Sequence, residues 1–210
     1  MDVQIRFFDA GTLSDPARFA DAYARVSAPR RAKIDRLRPG ASRRLSLAAG
    51  LLLADTLAEN GVRGLSAEEA EDENGKPCLP RCPELYFSLS HSGTWAMCTA
   101  ADKPVGCDLQ LTAPRSLRVA ERYFTQEEQA RILAQETEEA RQEMFYRIWT
   151  LKESFVKCLG LGLRLPLDSF SAYPAESGGI VLAQSADPGG FRLFEPSPPA
   201  GFRCAVCIRI

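Results

Sequence analysis

Residues 145–157 read FYRIWTLKESFVK, and this stretch says most about how the chain folds. Its apolar side chains recur at helical spacing, which predicts a helix with one face turned toward a core; they are Phe145, Ile148, Leu151, Phe155 and, just beyond this stretch, Leu159. Trp149, Glu153 and Lys157 follow one another four residues apart along a neighbouring strip. A charged strip beside so much apolar surface suits a site for a metal bound to an anion. A Glu–Lys pair on a solvated helix face gives the same pattern and is the alternative.

The composition is that of a globular protein. With 210 residues, 45% of them hydrophobic, the chain can form one large domain or two small ones with real cores. A net charge of −1 argues against a polyelectrolyte binder. The charge is uneven, because residues 30–44 hold seven Lys or Arg against one acid, and residues 121–143 hold seven Glu against three Arg. Either segment fits a solvated helix surface, and the basic one also fits an anion-binding surface.

Targeting and redox signals are weak. The opening stretch MDVQIRFFDAG has neither a basic region nor an apolar run, and no apolar run reaches membrane-spanning length, so we expect a cytoplasmic protein. Seven cysteines are an odd number without the spacing of a disulfide framework. Cys204 and Cys207 form a C-x-x-C, but the alternation around them predicts a strand with the two thiols on opposite faces. We expect reduced cysteines that serve mostly as packing residues, and a zinc site is the alternative.

Periodicity predicts a mixture of strands and helices. Alternating patterns predict strands near 3–7, 85–90, 95–100 and 105–110, and again near 170–172, 180–182 and the carboxy terminus. Helices are expected from Asp15, across the apolar stretch 45–57, and from about 117 to 159. The best boundary lies at residues 101–104, which gives two α+β halves, 1–103 and 104–210.

The stretch Ser88–Gly93 reads SLSHSG and contains the single histidine of the chain. Small hydroxyl residues and a glycine let backbone N–H groups and hydroxyls converge on an anion. A hairpin turn with a capping histidine, between the strands predicted at 85–90 and 95–100, is the alternative. A serine hydrolase is disfavoured because the G-x-S-x-G elbow is missing.

Asp108 and Gln110 stand two residues apart in a predicted strand, so their side chains should share a face. With Glu153 opposite, these oxygen ligands would suit Mg²⁺, which takes few protein carboxylates and completes its shell with water and phosphate oxygens. A strand-end Asp that caps a turn is the alternative. Lys76, in a Gly-Lys-Pro turn, offers a cation outside any Walker A frame.

Taken together and in this order, these segments resemble the Sfp-type 4′-phosphopantetheinyl transferases. The similarity covers roughly residues 28–172 and rests on the segments Gly75–Pro77, Ser88–Gly93, Pro104–Asp108, Arg122–Glu128, Trp149–Lys157 and Leu161–Phe170. It implies an α+β pseudo-two-fold fold, in which two similar halves enclose the site in the cleft between them. Residues 1–103 would then contact the nucleotide and its 3′-phosphate, and residues 104–210 would carry the metal site and catalytic helix.

The resemblance implies a reaction. The phosphopantetheine group of coenzyme A would move to a serine of an apo acyl or peptidyl carrier protein, releasing adenosine 3′,5′-bisphosphate, with Mg²⁺ or else Mn²⁺ as the cofactor. A monomer that binds neither nucleic acid nor membrane is expected. The alternatives are a catalytically inactive homologue that binds coenzyme A or a carrier, and a nucleic-acid binder using the basic block. The near-neutral charge and the lack of a recognised module disfavour the second alternative.

The resemblance also assigns the catalytic residues. Asp108 and Glu153 would hold the metal against the pyrophosphate, and Glu153 is the family's usual candidate for the base. Gln110 occupies a third ligand position at which the family usually has an acid. Lys157 would lie on the pyrophosphate and stabilise charge on the leaving group, whereas Lys152 is expected to point elsewhere, into a structural pair.

The coenzyme A contacts are carried over in the same way. Ser90 and His91 resemble the pair that contacts the 3′-phosphate. Basic groups around the nucleotide would be Arg30, Lys33 and Lys76, with Ser46 as a weaker candidate and Arg31 and Arg44 as substitutes. The acidic recognition helix of a carrier could meet exposed arginines after Asp108, namely Arg115, Arg118 and Arg122.

Overall fold

The computed structural model describes residues 2–114 and 117–210, apart from the side chains of Leu65 and Ser66. Within it the chain forms two compact units, Met1–Val105 and Gly106–Ile210. Both contain helices packed on a sheet, so the predicted α+β class is confirmed.

The helices of the first unit begin at residues suited to capping. They are α1 (Pro16–Arg25), α2 (Ala28–Asp35) and α3 (Ala41–Glu59). Asp15 caps α1 by accepting hydrogen bonds from the next backbone N–H groups, and Pro16 occupies the first turn, where its missing N–H costs nothing. Ser27 caps α2 in the same way. The predicted buried helix corresponds to α3, whose middle residues are nearly all inaccessible.

The sheet of the first unit has three strands in the order β1-β5-β4, and all neighbours are antiparallel. The unit's strands are β1 (Gln4–Asp9), β2 (Ala70–Glu71), β3 (Pro77–Cys78), β4 (Tyr86–Ser92) and β5 (Trp95–Ala101), with β2 and β3 paired separately. The predicted strands near 3–7, 85–90 and 95–100 are confirmed, but β4 extends to Ser92. The histidine therefore lies in a strand, and the turn consists of Gly93, at φ +56°, and Thr94.

In the described part of the second unit, three α-helices combine with two small sheets. Its helices are α4 (Arg118–Tyr123), α5 (Gln126–Leu133) and α6 (Glu138–Leu159). Its strands are β6 (Val105–Leu111), which starts at the last residue of the first unit, β7 (Ser171–Pro174), β8 (Ile180–Ala183), β9 (Phe191–Phe194) and β10 (Phe202–Arg209). One sheet has the order β6-β10-β9, and β7 pairs with β8. The helical stretch predicted at 117–159 is divided, because Thr125 and Thr137 cap new helices.

Helix α6 forms the centre of the second unit. Its predicted apolar face is confirmed, since Phe145, Ile148, Leu151 and Phe155 are each 0% exposed and Leu159 is half-buried against the same core. The helix packs on β10 and β7 and ends at Gly160, whose φ of +73° is favoured by glycine.

The cysteines are free thiols, and all but Cys78 are buried. None of the helices within residues 2–114 and 117–210 is long and apolar enough to cross a bilayer.

Candidate active site

Strand β6 and helix α6 approach so closely that only glycine fits between them. A Cβ on Gly106 would lie 2.1 Å from the carbonyl oxygen of Ser154 and 2.3 Å from the amide nitrogen of Cys158. Real Cβ atoms do not approach backbone atoms so closely, so the hydrogen of Gly106 allows the strand to rest on the helix. This contact brings the next residues of β6 alongside the charged residues of α6.

Asp108 lies two residues beyond Gly106 and is 2% exposed. Its Oδ1 accepts a hydrogen bond from Nζ of Lys157 over 2.7 Å, and its Oδ2 accepts one from Nε2 of Gln110 over 3.1 Å. The predicted common face of Asp108 and Gln110 is therefore confirmed. A carboxylate only accepts hydrogen bonds, so this contact requires Gln110 to offer its amide nitrogen.

Glu153 completes the cluster on α6. Burial raises the pKa of its carboxyl, the nearby charge of Asp108 raises it further, and Lys157 opposes both effects. Burial alone would lower the pKa of Lys157, but Asp108, together with Cys107 and Glu153, outweighs burial, so the pKa of Lys157 is raised as well. A carboxylate with a raised pKa accepts a proton more readily, and an ammonium with a raised pKa keeps its charge.

The donor set of this cluster fits a hard divalent cation. Asp108 and Glu153 supply two carboxylates near enough to raise the pKa of Glu153, a repulsion that a cation between them would relieve. Within the described part of the chain no three His, Cys, Asp or Glu side chains form a metal-binding group. A site with two acids and Gln110 would leave positions for water and phosphate oxygens, as Mg²⁺ prefers.

Lys152 is part of a buried ion pair. Its Nζ donates to both carboxylate oxygens of Glu128 over 2.6 Å and to the carbonyl oxygen of Phe170 over 2.5 Å. Burial lowers the pKa of Lys152, and the charge of Glu128 opposes that effect. Lys152 thus has the structural partner expected for it. The sequence reasoning missed Glu128, although the capping-box pattern Thr125-x-x-Glu128 marked it as ordered.

In the first unit, Arg30 and Lys33 line a cavity of about 400 Å³ together with Arg36, Glu69, Glu71 and Pro77. Arg30 is only 6% exposed, and its guanidinium is paired with Glu69, to which Nε donates over 3.3 Å. Its stem covers Gly50 of α3, where an added Cβ would lie 2.6 Å from Cγ of Arg30. Lys33 is exposed at the same cavity.

Ser90 and His91 do not point the same way. They pair with Met97 and Ala96 of β5, and consecutive residues of a strand face opposite sides of the sheet. Ser90 is buried, whereas His91 is exposed. The contact of both side chains with one phosphate therefore stays a prediction.

The other residues predicted to contact the nucleotide lie in different surroundings from one another. Lys76 donates to the carbonyl oxygen of Val105 over 3.3 Å. Ser46 is 7% exposed, and its hydroxyl has no hydrogen-bond partner among the described residues. Arg31 donates to the carbonyl oxygen of Val26, while Arg44 is half-buried.

The arginines predicted to meet a carrier lie around α4. Arg118 and Arg122 are exposed on this helix, and the guanidinium of Arg122 lies 5.2 Å from the ring centre of Tyr123. Arg115 lies outside the described residues.

Comparisons with known proteins identify the family of the chain. Residues 104–207 match the family model of the 4′-phosphopantetheinyl transferase superfamily. The chain is 44% identical over 108 residues to 4′-phosphopantetheinyl transferase Sfp of Bacillus subtilis (strain 168), a match that covers 51% of this chain and 48% of Sfp. It therefore spans about half the length of that relative.

Longer matches cover more of other relatives. Identity to 4′-phosphopantetheinyl transferase ffp of Bacillus subtilis is 35% over 156 residues, covering 74% of this chain and 69% of that protein. Identity to 4′-phosphopantetheinyl transferase psf-1 of Bacillus pumilus is 36% over 159 residues, covering 75% of this chain and 67% of that protein. Among solved structures, the holo-[acyl-carrier-protein] synthase of Thermotoga maritima is 24% identical with a TM-score of 0.43, covering 50% of this chain and 62% of that one. The sequence matches show that the chain belongs to the Sfp-type 4′-phosphopantetheinyl transferase family.

Proposed function

We propose that this chain is a holo-[carrier-protein] synthase, which transfers the 4′-phosphopantetheine group of coenzyme A to a serine of an apo acyl or peptidyl carrier protein. The observation that carries the proposal is the cluster of Asp108, Glu153 and Lys157, which the Gly106 contact holds together in a member of this family. Transfer to a serine needs positioning and neutralisation of phosphate charge, and this cluster has the groups for both.

Asp108 and Glu153 would hold Mg²⁺, or Mn²⁺ in its place. The cation supplies Lewis-acid polarisation of the pyrophosphate oxygens when bound. Lys157 contributes a further positive charge that stabilises the leaving phosphate, and its raised pKa keeps it charged. Gln110 donates to Asp108 and orients that carboxylate, so we assign it a supporting contact beside the metal.

The proton of the attacking serine would pass to Glu153, whose raised pKa suits a base. The serine oxygen forms a bond to the phosphorus next to the pantetheine arm. The bond from that phosphorus to the bridging oxygen breaks, and adenosine 3′,5′-bisphosphate leaves with the electron pair.

The nucleotide would bind to the first unit, at the cavity lined by Arg30 and Lys33. Lys33 is the stronger contact for a phosphate, because it is exposed while Arg30 is already paired with Glu69. His91 is likewise exposed, so it is the stronger member of the Ser90–His91 pair. Lys76 adjoins the cavity-lining Pro77, and Ser46 would contribute its buried hydroxyl.

The partner would be a carrier with an acidic surface, which the exposed Arg118 and Arg122 complement. Seven free thiols support a reducing compartment, so we place the reaction in the cytoplasm. We further propose that a monomer is active, and that nucleic acid and membranes are not partners.

Intact mass spectrometry of an apo carrier protein tests this function. Incubation with the protein, coenzyme A and Mg²⁺ should add the mass of one phosphopantetheine group, and a chelator should prevent the gain. The absence of any gain across acyl and peptidyl carriers, with coenzyme A still bound in calorimetry, would show an inactive homologue instead.

A further inference from the structure

The ion pair between Lys152 and Glu128 joins three elements of the second unit while both side chains are 0% exposed. Lys152 lies on α6 and Glu128 lies on α5. Both side chains also form hydrogen bonds to backbone groups at the start of β7. Glu128 accepts hydrogen bonds from the N–H groups of Ala172 and Thr125, each over 2.8 Å. With the carbonyl oxygen of Phe170, all three donors of the ammonium group find acceptors.

Stability alone does not account for this pair. Removing two charges from water is costly, and replacing a buried pair by apolar side chains of similar volume is often neutral or stabilising. Apolar packing, however, is non-directional, whereas hydrogen bonds to fixed backbone groups have preferred angles. The pair therefore supplies an orientation that packing of α6 against β7 would not supply by itself.

The position of Lys152 on α6 shows which side chains the ion pair orients. At about 100° per residue, Lys152 lies roughly 200° around the helix from Ser154, which contacts Gly106 of β6. Helix α6 is thus held by β6 on one side and by Glu128 on the other. Glu153 and Lys157 lie on the helix surface between these two contacts.

We propose that Lys152 and Glu128 are positioning residues that fix the rotation of α6, and with it the placement of Glu153 and Lys157 against Asp108. Side-chain groups lie about 5–6 Å from a helix axis, so a rotation of about 10° moves them by roughly 1 Å. A misplacement of that size costs about 100-fold in rate. The inference rests on the proposed transfer activity for its rate measurement and on the proposed metal site of Asp108 and Glu153 for its Mn²⁺ measurement.

The test compares wild-type protein with the double variant Lys152→Met and Glu128→Leu. No charge is left unpaired in this variant, so it should still fold. Its melting temperature should fall, because the N–H groups of Thr125 and Ala172 and the carbonyl oxygen of Phe170 lose buried hydrogen-bond partners. Its kcat for carrier modification should fall at least about tenfold, with the KM for coenzyme A unchanged. Its dissociation constant for Mn²⁺, measured by electron paramagnetic resonance, should rise about tenfold.

The matched control replaces Arg147 by Met and Glu195 by Leu. This second ion pair also joins α6 to a neighbouring segment, at 2.6 Å, but it is partly exposed. Its loss should leave kcat and Mn²⁺ affinity within about twofold of the wild type, as expected for a partly exposed pair.

If the double variant of Lys152 and Glu128 does not fold, Glu128→Asp replaces it, since it keeps the charge but shortens the reach by one methylene. A folded variant with wild-type kcat and Mn²⁺ affinity would overturn the inference and leave the pair a purely structural one. If the wild-type protein transfers nothing, the proposed function fails, and the Mn²⁺ measurement alone decides the positioning role.

Discussion

Lys157 donates a hydrogen bond from Nζ to Oδ1 of Asp108 over 2.7 Å, which joins helix α6 to strand β6 at the candidate active site. Asp108 is almost fully buried, while the side chain of Lys157 is 31% exposed. The ammonium group can therefore neutralise the buried carboxylate and still reach a phosphate that approaches from solvent.

Lys157→Met should slow transfer about 100- to 1000-fold, because it removes a charge aimed at the leaving phosphate. It should also cost about 1–3 kcal/mol in free energy of unfolding, since Asp108 loses a buried partner. Single-turnover kinetics and urea unfolding measure the two effects. Lys157→Arg, which keeps the charge, should be less affected in both, and a Met variant as fast as the wild type would remove Lys157 from the mechanism.

Gly106→Ala should separate β6 from α6. Its Cβ would meet backbone atoms at 2.1 and 2.3 Å, which cannot move as a flexible side chain would. We expect a loss of about 1–3 kcal/mol in free energy of unfolding, together with reduced Mn²⁺ affinity. Gly11→Ala is the control, because the atoms nearest to its Cβ would belong to the side chain of Asp9, starting at 3.0 Å, and not to the backbone. Equal stabilities of the two variants would contradict the close contact.

Gln110→Glu should keep transfer activity and lower the Mg²⁺ concentration needed for half-maximal rate. A third carboxylate adds negative charge near the cation, and without the cation it repels Asp108, with which Gln110 now shares a hydrogen bond of 3.1 Å. Without metal, the Gln110→Glu variant should therefore melt at a lower temperature than the wild type. Its melting temperature should rise more than that of the wild type when Mg²⁺ is added. An unchanged Mg²⁺ titration would place residue 110 outside the metal's surroundings.

Cys204 should resist alkylation in the folded protein. Burial raises the pKa of its thiol to about 12, and Sγ donates to the carbonyl oxygen of Pro196 over 3.3 Å. Because the folded pKa lies above the unfolded value of about 8.5, this thiol's contribution to stability is complete below that value. It is lost as the pH rises toward about 12. Iodoacetamide at pH 8 should label the half-buried Cys78 first, and faster labelling of Cys204 would contradict its burial.

The second-unit site was largely predictable because its residues obey simple periodicities. Residues two apart on a strand share a face, which placed Asp108 beside Gln110. Helical spacing identified the buried face of α6 and left Glu153 and Lys157 on a neighbouring strip.

The sequence did not predict which charged side chains pair with each other within the chain, because that pairing depends on contacts between distant segments. Arg30 looked available for a nucleotide, but Glu69, 39 residues away, folds onto it. The pairing of Glu128 with Lys152 likewise depends on how α5 and β7 meet α6. The sheet register extends β4 to Ser92 and shortens the turn that follows it. Ser90 and His91 therefore both lie in the strand, where consecutive side chains point to opposite faces.

The central claim is that Glu153, held beside Asp108 and Lys157, carries the transfer. The most direct measurement is the single-turnover rate of phosphopantetheine transfer for wild type, Glu153→Gln and Glu139→Gln, an exposed control near the start of α6. Glu153→Gln should be slower by about 100- to 10,000-fold while it keeps the wild-type circular dichroism spectrum, and Glu139→Gln should match the wild type. A folded Glu153→Gln variant that transfers at the wild-type rate would contradict the claim.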